Sequence, residues 1–81
     1  MSVAVHVLYF ASLRERAGRA EEHCQSDARD LAGLYEELSA RHGLGWPRAQ
    51  LRVAVDGAFA EWSAPLRAGS EVVFIPPVSG G

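Results

Sequence analysis

Hydrophobic residues alternate with other residues at the start of this chain. Val3, Val5, Val7 and Tyr9 occupy every second position of residues 3–10, a stretch rich in valine and aromatic residues. A period of two places alternate side chains on opposite faces of an extended backbone, and β-branched and aromatic side chains suit a pleated surface. The pattern predicts a strand in the centre of a sheet.

Further along the chain the hydrophobic period becomes helical. Four apolar residues follow the i, i+3, i+4, i+7 spacing of one buried helix face: Leu31, Leu34, Tyr35 and Leu38. Asp27 precedes them as a good N-cap, and Gly43 follows them in the position where many helices end. Arg41 and His42 suit the negative end of the helix dipole. This segment is predicted to be the main helix.

A shorter helix is predicted directly after the first strand. Ser12 and Glu15 have the spacing of a capping box, which places the helix start at Ser12, and Gly18 is expected to end the helix. Residues 20–26 are polar and weakly patterned, so we interpret them as an edge strand.

Two more strands and a final strand follow from turn chemistry and alternation. Asp56-Gly57 is a strong two-residue hairpin signal between residues 51–55 and residues 58–62. Residues 71–75 alternate again, and the side chains of Val73 and Ile75 are expected on the face away from the helix. Four or five strands with one main helix packed on one face of the sheet predict an α+β fold, in a single domain of residues 1–81 with a protruding tail at 76–81.

Composition and charge exclude several classes of function. The net charge is −2, and the eight basic residues, all arginine, are interspersed with acidic ones, so we expect no nucleic-acid partner. The apolar start is too short to span a membrane, and the single cysteine, Cys24, fits a reducing compartment, so we expect a cytoplasmic protein without a membrane partner. His6, His23 and His42 are scattered in the sequence without metal-ligand spacing, so no metal site is predicted.

The end of the chain is the candidate site. Pro76 and Pro77 cannot donate to a sheet ladder and favour a stiff, extended exit after the last strand. Gly80 and Gly81 have no side chains, so this backbone can enter a narrow slot in another protein. We expect the tail to present its terminal carboxylate to a partner's active site, with no self-contained catalytic site on this chain.

Two motifs carry a family resemblance that extends over the whole chain. Residues 10–18 read F-A-x-x-R-E-x-x-G and residues 74–81 read F-x-P-P-V-x-G-G. The chain resembles the small, sulfur-carrier subunit of molybdopterin synthase, the MoaD type of the MoaD and ThiS sulfur carriers. The resemblance implies the ubiquitin-like β-grasp fold, a mixed sheet in which the first and last strands lie side by side at the centre.

The resemblance also implies a mechanism for the tail. An ATP-dependent adenylating enzyme would activate Gly81, whose carboxylate becomes a thiocarboxylate (1-thioglycine) and gives sulfur to cyclic pyranopterin monophosphate in the large synthase subunit. Gly80, which has no side chain, would let the tail fit a narrow channel in the partner. Pro76 and Pro77 would set how far the tail reaches. No permanently bound cofactor is implied. The chain would be no enzyme by itself, and would assemble as two small and two large subunits.

By the same resemblance Phe10, Arg14, Phe59 and Ile75 are candidate docking residues, with both phenylalanines and Ile75 expected to be unusually exposed. Three alternative functions stay open at this point. One is the sulfur carrier of thiazole synthesis, another is a ubiquitin-like modifier joined to lysine, and the third is an interaction module with an inert tail.

Overall fold

One mixed sheet organises the chain. The computed structural model describes residues 2–77, so Val78, Ser79, Gly80 and Gly81 lie outside the described residues. The elements in chain order are β1 (Val3–Tyr9), α1 (Ala11–Ala17), β2 (Glu21–Ser26), α2 (Leu31–His42), a 3-10 turn (Arg48–Gln50), β3 (Arg52–Val55), β4 (Ala58–Ala60) and β5 (Glu71–Ile75).

The strand order places the first and last strands next to each other. The five strands lie in the order β2-β1-β5-β3-β4. β1 and β5 are parallel, with Tyr9 opposite Phe74, and the remaining neighbours are antiparallel. The predicted α+β class, the edge position of β2 and the central pairing of the first and last strands are confirmed.

The core lies between one face of this sheet and α2. The inward residues of β1 and β5 are fully or almost fully buried, and so are the four apolar residues predicted for the main helix: Leu31, Leu34, Tyr35 and Leu38. The Phe74 ring meets Tyr35 edge to face at 5.1 Å between centroids and stacks with Trp62 at 5.9 Å. The central strand therefore supplies the side chain around which the aromatic part of the core packs.

The start of α2 differs from the prediction. Asp30, and not Asp27, is the N-cap, and its carboxylate accepts a hydrogen bond from the Gly33 N–H at 2.8 Å. The Leu31 and Ala32 N–H groups donate to the carbonyls of Ala64 and Trp62, at 3.1 and 3.0 Å. Because these loop carbonyls satisfy the otherwise unpaired donors of the first turn, tertiary contacts select the later aspartate.

The start of α1 also differs from the prediction. The capping-box assignment of Ser12 and Glu15 is wrong, because the helix begins at Ala11 after Phe10, which makes no side-chain cap. Ala11 has a φ of 51°, a left-handed conformation that is costly for a residue with a Cβ atom. Gly18 ends the helix in the left-handed conformation, as predicted.

The predicted hairpin is confirmed, and its turn is also joined to β5. Asp56 and Gly57 both have positive φ, 50° and 89°, as a tight hairpin turn requires. The Asp56 N–H donates to the Glu71 carbonyl, and the Asp56 carboxylate accepts from the Glu71 N–H, each at 2.9 Å. The turn between β3 and β4 thus fixes the position of Glu71, the first residue of the central strand β5.

A polar network connects the edge strand β2 to β1 and α2. Tyr9 donates its hydroxyl hydrogen to the Glu22 carboxylate, which also accepts from His42 Nε2 at 2.7 Å. Burial raises the pKa of the Tyr9 phenol, so the phenol stays protonated and able to donate. For Glu22, burial alone would raise the carboxyl pKa, but the hydrogen bonds from Tyr9 and His42 bring the pKa below its usual 4.5.

This network predicts a loss of stability in acid. A carboxyl pKa lower in the folded than in the unfolded state stabilises the fold above the unfolded value of 4.5, and this contribution is lost as pH falls through the folded pKa. Glu22→Gln should therefore lose less unfolding free energy than the wild type between neutral pH and about pH 3 in urea titrations. The exposed Glu15→Gln is the control and should keep the wild-type pH dependence. Equal losses in all three proteins would contradict the role of Glu22.

Candidate functional site

The sheet face turned away from α2 has two chemically different ends. Its outward side chains come from every strand: Glu21, His23 and Gln25 of β2, His6 and Leu8 of β1, Glu71, Val73 and Ile75 of β5, Arg52 and Ala54 of β3, and Phe59 of β4. The end near the start of β5 is polar. The other end is mostly apolar and lies where β5 runs toward the tail.

The apolar end forms a continuous strip across four strands, which we call the outer strip: Leu8, Ala54, Phe59, Val73 and Ile75. Val73 is opposite Leu8 on one side and Ala54 on the other, and Ala54 is opposite Phe59. Phe59 is 62% exposed. A side chain this apolar and this accessible is typical of a surface that a partner covers.

Phe10 lies just beyond the end of β1 and is 50% exposed, so the predicted exposure of both phenylalanines is confirmed. Ile75 was also expected to be unusually exposed, but its side chain is half-buried. The reason is its position on the central strand, where Arg52 is directly opposite on β3 and Phe10 lies near it beyond the end of β1.

Arg52 was not among the residues predicted for the site. Its guanidinium carbon lies 4.1 Å from the centre of the Phe59 ring, within the range of a cation–π interaction. The contact places a positive charge on the outer strip. The alternation of residues 51–55 predicts that Arg52 points outward, but only the strand pairing shows that it meets Phe59.

A shallow depression lies at the base of the tail. Phe10, Ile75 and Pro77 line it together with Trp46, whose indole N–H donates to the Ser12 hydroxyl at 2.8 Å. The Trp46 carbonyl accepts from the Tyr35 hydroxyl at 2.6 Å. The loop after α2, in which we predicted no site residue, thus fixes one wall of the depression to both helices.

The two prolines at the base of the tail have different environments. Pro77 is exposed, whereas Pro76 is buried. Pro76 therefore anchors the start of the tail against the fold, and Pro77 is the one that a partner can reach. Gly80 and Gly81, the residues on which the predicted chemistry depends, lie outside the described range 2–77.

Arg14 is exposed on α1, where it lines a second shallow depression with Ala11 and Arg19. Within residues 2–77 no ion pair involves Arg14, which leaves its charge available to a partner in the part of the chain that the structure describes. Ala11 borders both depressions, so the one that Arg14 lines adjoins the one at the base of the tail.

The polar end of the outer face corrects the interpretation of the histidines as scattered. His6 and His23 are directly opposite each other on β1 and β2, and their rings stack at 4.3 Å between centroids. Glu21 completes a group of three possible metal ligands. No spacing rule could find this group, because the register of two strands brings it together.

Among the described helices, none is long and apolar enough to cross a membrane.

Known sequences that are similar to this chain match it over nearly its whole length. The model of the ThiS family matches residues 7–81. The molybdopterin synthase sulfur carrier subunit of Escherichia coli K12 is 32% identical, covering 95% of this chain and 99% of that protein. The subunit of the same name from Homo sapiens is 37% identical, covering 95% of this chain and 93% of that protein.

Solved structures show the same architecture. SAMP1 from Haloferax volcanii superposes with a TM-score of 0.80 at 25% identity, covering 96% of this chain and 99% of that one. A complex of subunits 1 and 2 of the molybdopterin-converting factor from Helicobacter pylori contains a chain that matches at a TM-score of 0.65 and 26% identity, covering 98% of this chain and 100% of that one. A Caldiarchaeum subterraneum ubiquitin, at 11% identity and a TM-score of 0.65 with full coverage of both chains, confirms the ubiquitin-like β-grasp fold.

The bond between Trp46 and Ser12 generates a prediction for the base of the tail. Ser12→Ala should destabilise the fold by about 0.5–1.5 kcal/mol, because the part-buried indole N–H loses its acceptor. Trp46→Phe and the double variant complete a thermodynamic cycle in urea, which should give a coupling of about 0.5–1.5 kcal/mol. If Ser12 acted as a helix cap, its replacement would cost the same with or without Trp46, and the coupling would vanish.

Proposed function

This chain belongs to the ThiS family, and we propose that it carries sulfur on the carboxyl group of Gly81 for the synthesis of the molybdenum cofactor. Two observations support molybdopterin in particular. Relatives named molybdopterin synthase sulfur carrier subunit match almost end to end at 31–37% identity. The F-x-P-P-V-x-G-G ending also occupies residues 74–81 without a departure from the pattern.

The observation that carries the proposal is the course of β5. This strand is the middle one of the five, and it leads from the outer strip directly into Pro76 and Pro77. A partner that covers the outer strip would therefore hold the root of the tail. With four residues beyond Pro77, an extended tail can reach roughly 13 Å further, far enough to enter a buried active site.

The chemistry of the tail requires two partner enzymes in turn. A carboxylate is a poor electrophile, so an adenylating enzyme first joins it to the AMP part of ATP and releases pyrophosphate. A sulfide equivalent from a donor then attacks the carbonyl carbon, a C–S bond forms, and AMP leaves with the C–O bond electrons. The net change is the replacement of one carboxylate oxygen by sulfur, which makes Gly81 a nucleophilic thiocarboxylate.

The second partner is the large subunit of molybdopterin synthase. There the thiocarboxylate sulfur would form a C–S bond to a carbon of cyclic pyranopterin monophosphate, which would lose an oxygen substituent as the leaving group. Water would then cleave the bond between the Gly81 acyl carbon and sulfur, so that the sulfur stays on the pterin and the carboxylate is restored. The Helicobacter pylori complex of subunits 1 and 2 supports such a pairing. We expect a heterotetramer of two small and two large subunits, with no catalytic activity in this chain alone.

The same outer strip would serve both partners. Phe59 and Ile75 of the strip would supply apolar contact, together with Phe10 and Pro77 of the depression at the base of the tail. Arg14 and Arg52 would favour partners with acidic groups, mainly by accelerating encounter. We expect both encounters in the cytoplasm, with ATP consumed on the adenylating enzyme and no cofactor held permanently here.

One alternative has structural support. SAMP1 of Haloferax volcanii, 25% identical to this chain, is a small archaeal modifier protein. This similarity favours a ubiquitin-like modifier, in which the activated Gly81 would form an amide with a lysine of another protein. The thiazole carrier shares the thiocarboxylate and differs in its acceptor. Acyl transfer to lysine and sulfur transfer to the pterin use the same adenylate, so the product distinguishes these functions.

The first experiment measures the intact mass of the full chain after incubation with an adenylating enzyme, ATP and a sulfur donor. We expect a gain equal to the exchange of one oxygen for sulfur, and conversion of cyclic pyranopterin monophosphate once the large subunit is added. Deletion of Gly81 should abolish both while leaving the melting temperature nearly unchanged. Covalent adducts with other proteins in place of the mass gain would favour the modifier.

The second experiment tests docking. Phe10→Ala and Phe59→Ala should each weaken binding to the large subunit by about 2 kcal/mol or more if they are central to the interface. Ile75→Ala should also weaken it, because the variant removes apolar contact at the root of the tail. Titration calorimetry measures the affinities, and circular dichroism checks the fold. Glu36→Ala, on the exposed side of α2, is the control and should bind normally. Unchanged affinity in all the variants would show that these side chains do not contribute to docking and that the tail alone accounts for it.

A further inference from the structure

We propose that His6, His23 and Glu21 form a binding site for a divalent transition-metal ion, Zn²⁺ or Cu²⁺, on the polar end of the outer sheet face. The site is independent of the sulfur-carrier function. The two histidines lie level with the start of β5, whereas the outer strip extends toward its end; Glu21, opposite Leu8, lies where the two regions meet.

The strand register positions the two imidazoles. His6 and His23 are opposite each other across β1 and β2, and their rings are nearly parallel, with 7° between the planes. Glu21 is two residues before His23 on the same face of β2, and its Oε1 lies 2.9 Å from His6 Nε2. One ligand atom from each of the three residues lies within 4.8 Å of the others.

Metal binding requires one imidazole ring to rotate out of the stack, because an ion lies in the plane of each ring that binds it and the two rings are now nearly parallel. Bonds of about 2.0–2.1 Å in a tetrahedral site bring ligand atoms to about 3.3 Å from one another. Side-chain rotations can bring the ligand atoms, which already lie within 4.8 Å of one another, to this spacing, because all three residues are held on paired strands. Two imidazole nitrogens and one carboxylate leave the fourth position to water.

Glu71 supplies the outer partner that metal-bound histidines usually have. It is opposite His6 on β5, and its Oε2 lies 3.8 Å from His6 Nδ1. With Nε2 on the metal, the Nδ1–H would face this carboxylate, which fixes the ring and increases its basicity. A bound ion would thus connect the edge strand β2 to β1, while Glu71 connects the site to β5.

The site is open to solvent ions. The His6 side chain is 25% exposed and the Glu21 side chain is 57% exposed. Imidazole and carboxylate ligands suit Zn²⁺ and Cu²⁺, and the general order of affinities favours Cu²⁺. The chemistry selects against Mg²⁺ and Ca²⁺, which prefer sites made of oxygen ligands alone.

Titration calorimetry of the tag-free full chain with ZnSO₄, after removal of metal with a chelator, tests the proposal. We expect one ion per chain and a melting temperature that rises with Zn²⁺ concentration, since binding to the folded state stabilises it. His23→Ala and Glu21→Gln should each weaken the affinity, the first by at least about tenfold. MgCl₂ should show no comparable binding.

Two control variants identify the ligands. Gln25→Ala changes the next outward residue of β2 and should bind Zn²⁺ normally. Cys24→Ser removes the thiol on the opposite face of the same strand and should also bind normally. The proposal is overturned if the wild type does not bind Zn²⁺, if His23→Ala and Glu21→Gln bind as the wild type does, or if Cys24→Ser abolishes binding.

Discussion

The parallel pairing of β1 with β5 is the constraint on which the rest of the structure depends. It joins strands from the two ends of the chain, with Tyr9 opposite Phe74, and makes β5 the middle strand. Because β5 is paired on both sides, its end is held by two strands and by the core beneath it. The root of the tail therefore leaves from the part of the sheet that is paired on both sides, where we expect local opening to cost the most free energy.

Once this pairing is set, the irregular segments are held by specific backbone contacts. The loop at residues 62–66 accepts hydrogen bonds from the first turn of α2, and Leu66 donates to the Arg29 carbonyl. Trp62 from the same loop stacks on Phe74. The segment has no regular secondary structure, yet it supplies both the N-terminal partners of the main helix and part of the core.

The sequence predicts this fold well where one local pattern determines the outcome. The periods of two and 3.6, the Asp56-Gly57 turn and the glycines that end both helices each depend on neighbouring residues alone. Prediction fails where distant partners decide. Asp27 and Asp30 are both good caps, and the carbonyls of residues 62 and 64 select the second. Ser12 has the spacing of a cap, but Trp46 uses its hydroxyl.

The candidate site shows the same limit. Exposure of Phe10 and Phe59 follows from having one main helix for a sheet with two faces. The partial burial of Ile75 depends on strand order, and the Arg52–Phe59 contact and the His6–His23 stack depend on register. A slip of one residue in any of these pairs would turn the side chains to the other face, so no local pattern contains this information.

The proposed carrier function explains why binding surface and reactive group should be separate. A tail of small residues that has to enter two different active sites can contribute little apolar contact, and its end changes from carboxylate to adenylate to thiocarboxylate. Affinity that came from the tail would change at every step. An apolar strip on the rigid sheet keeps most of the binding energy independent of the state of Gly81, so exchange between partners can depend on the small differences that the tail adds. The short, anchored path from Ile75 through the buried Pro76 then converts docking of the strip into placement of the tail.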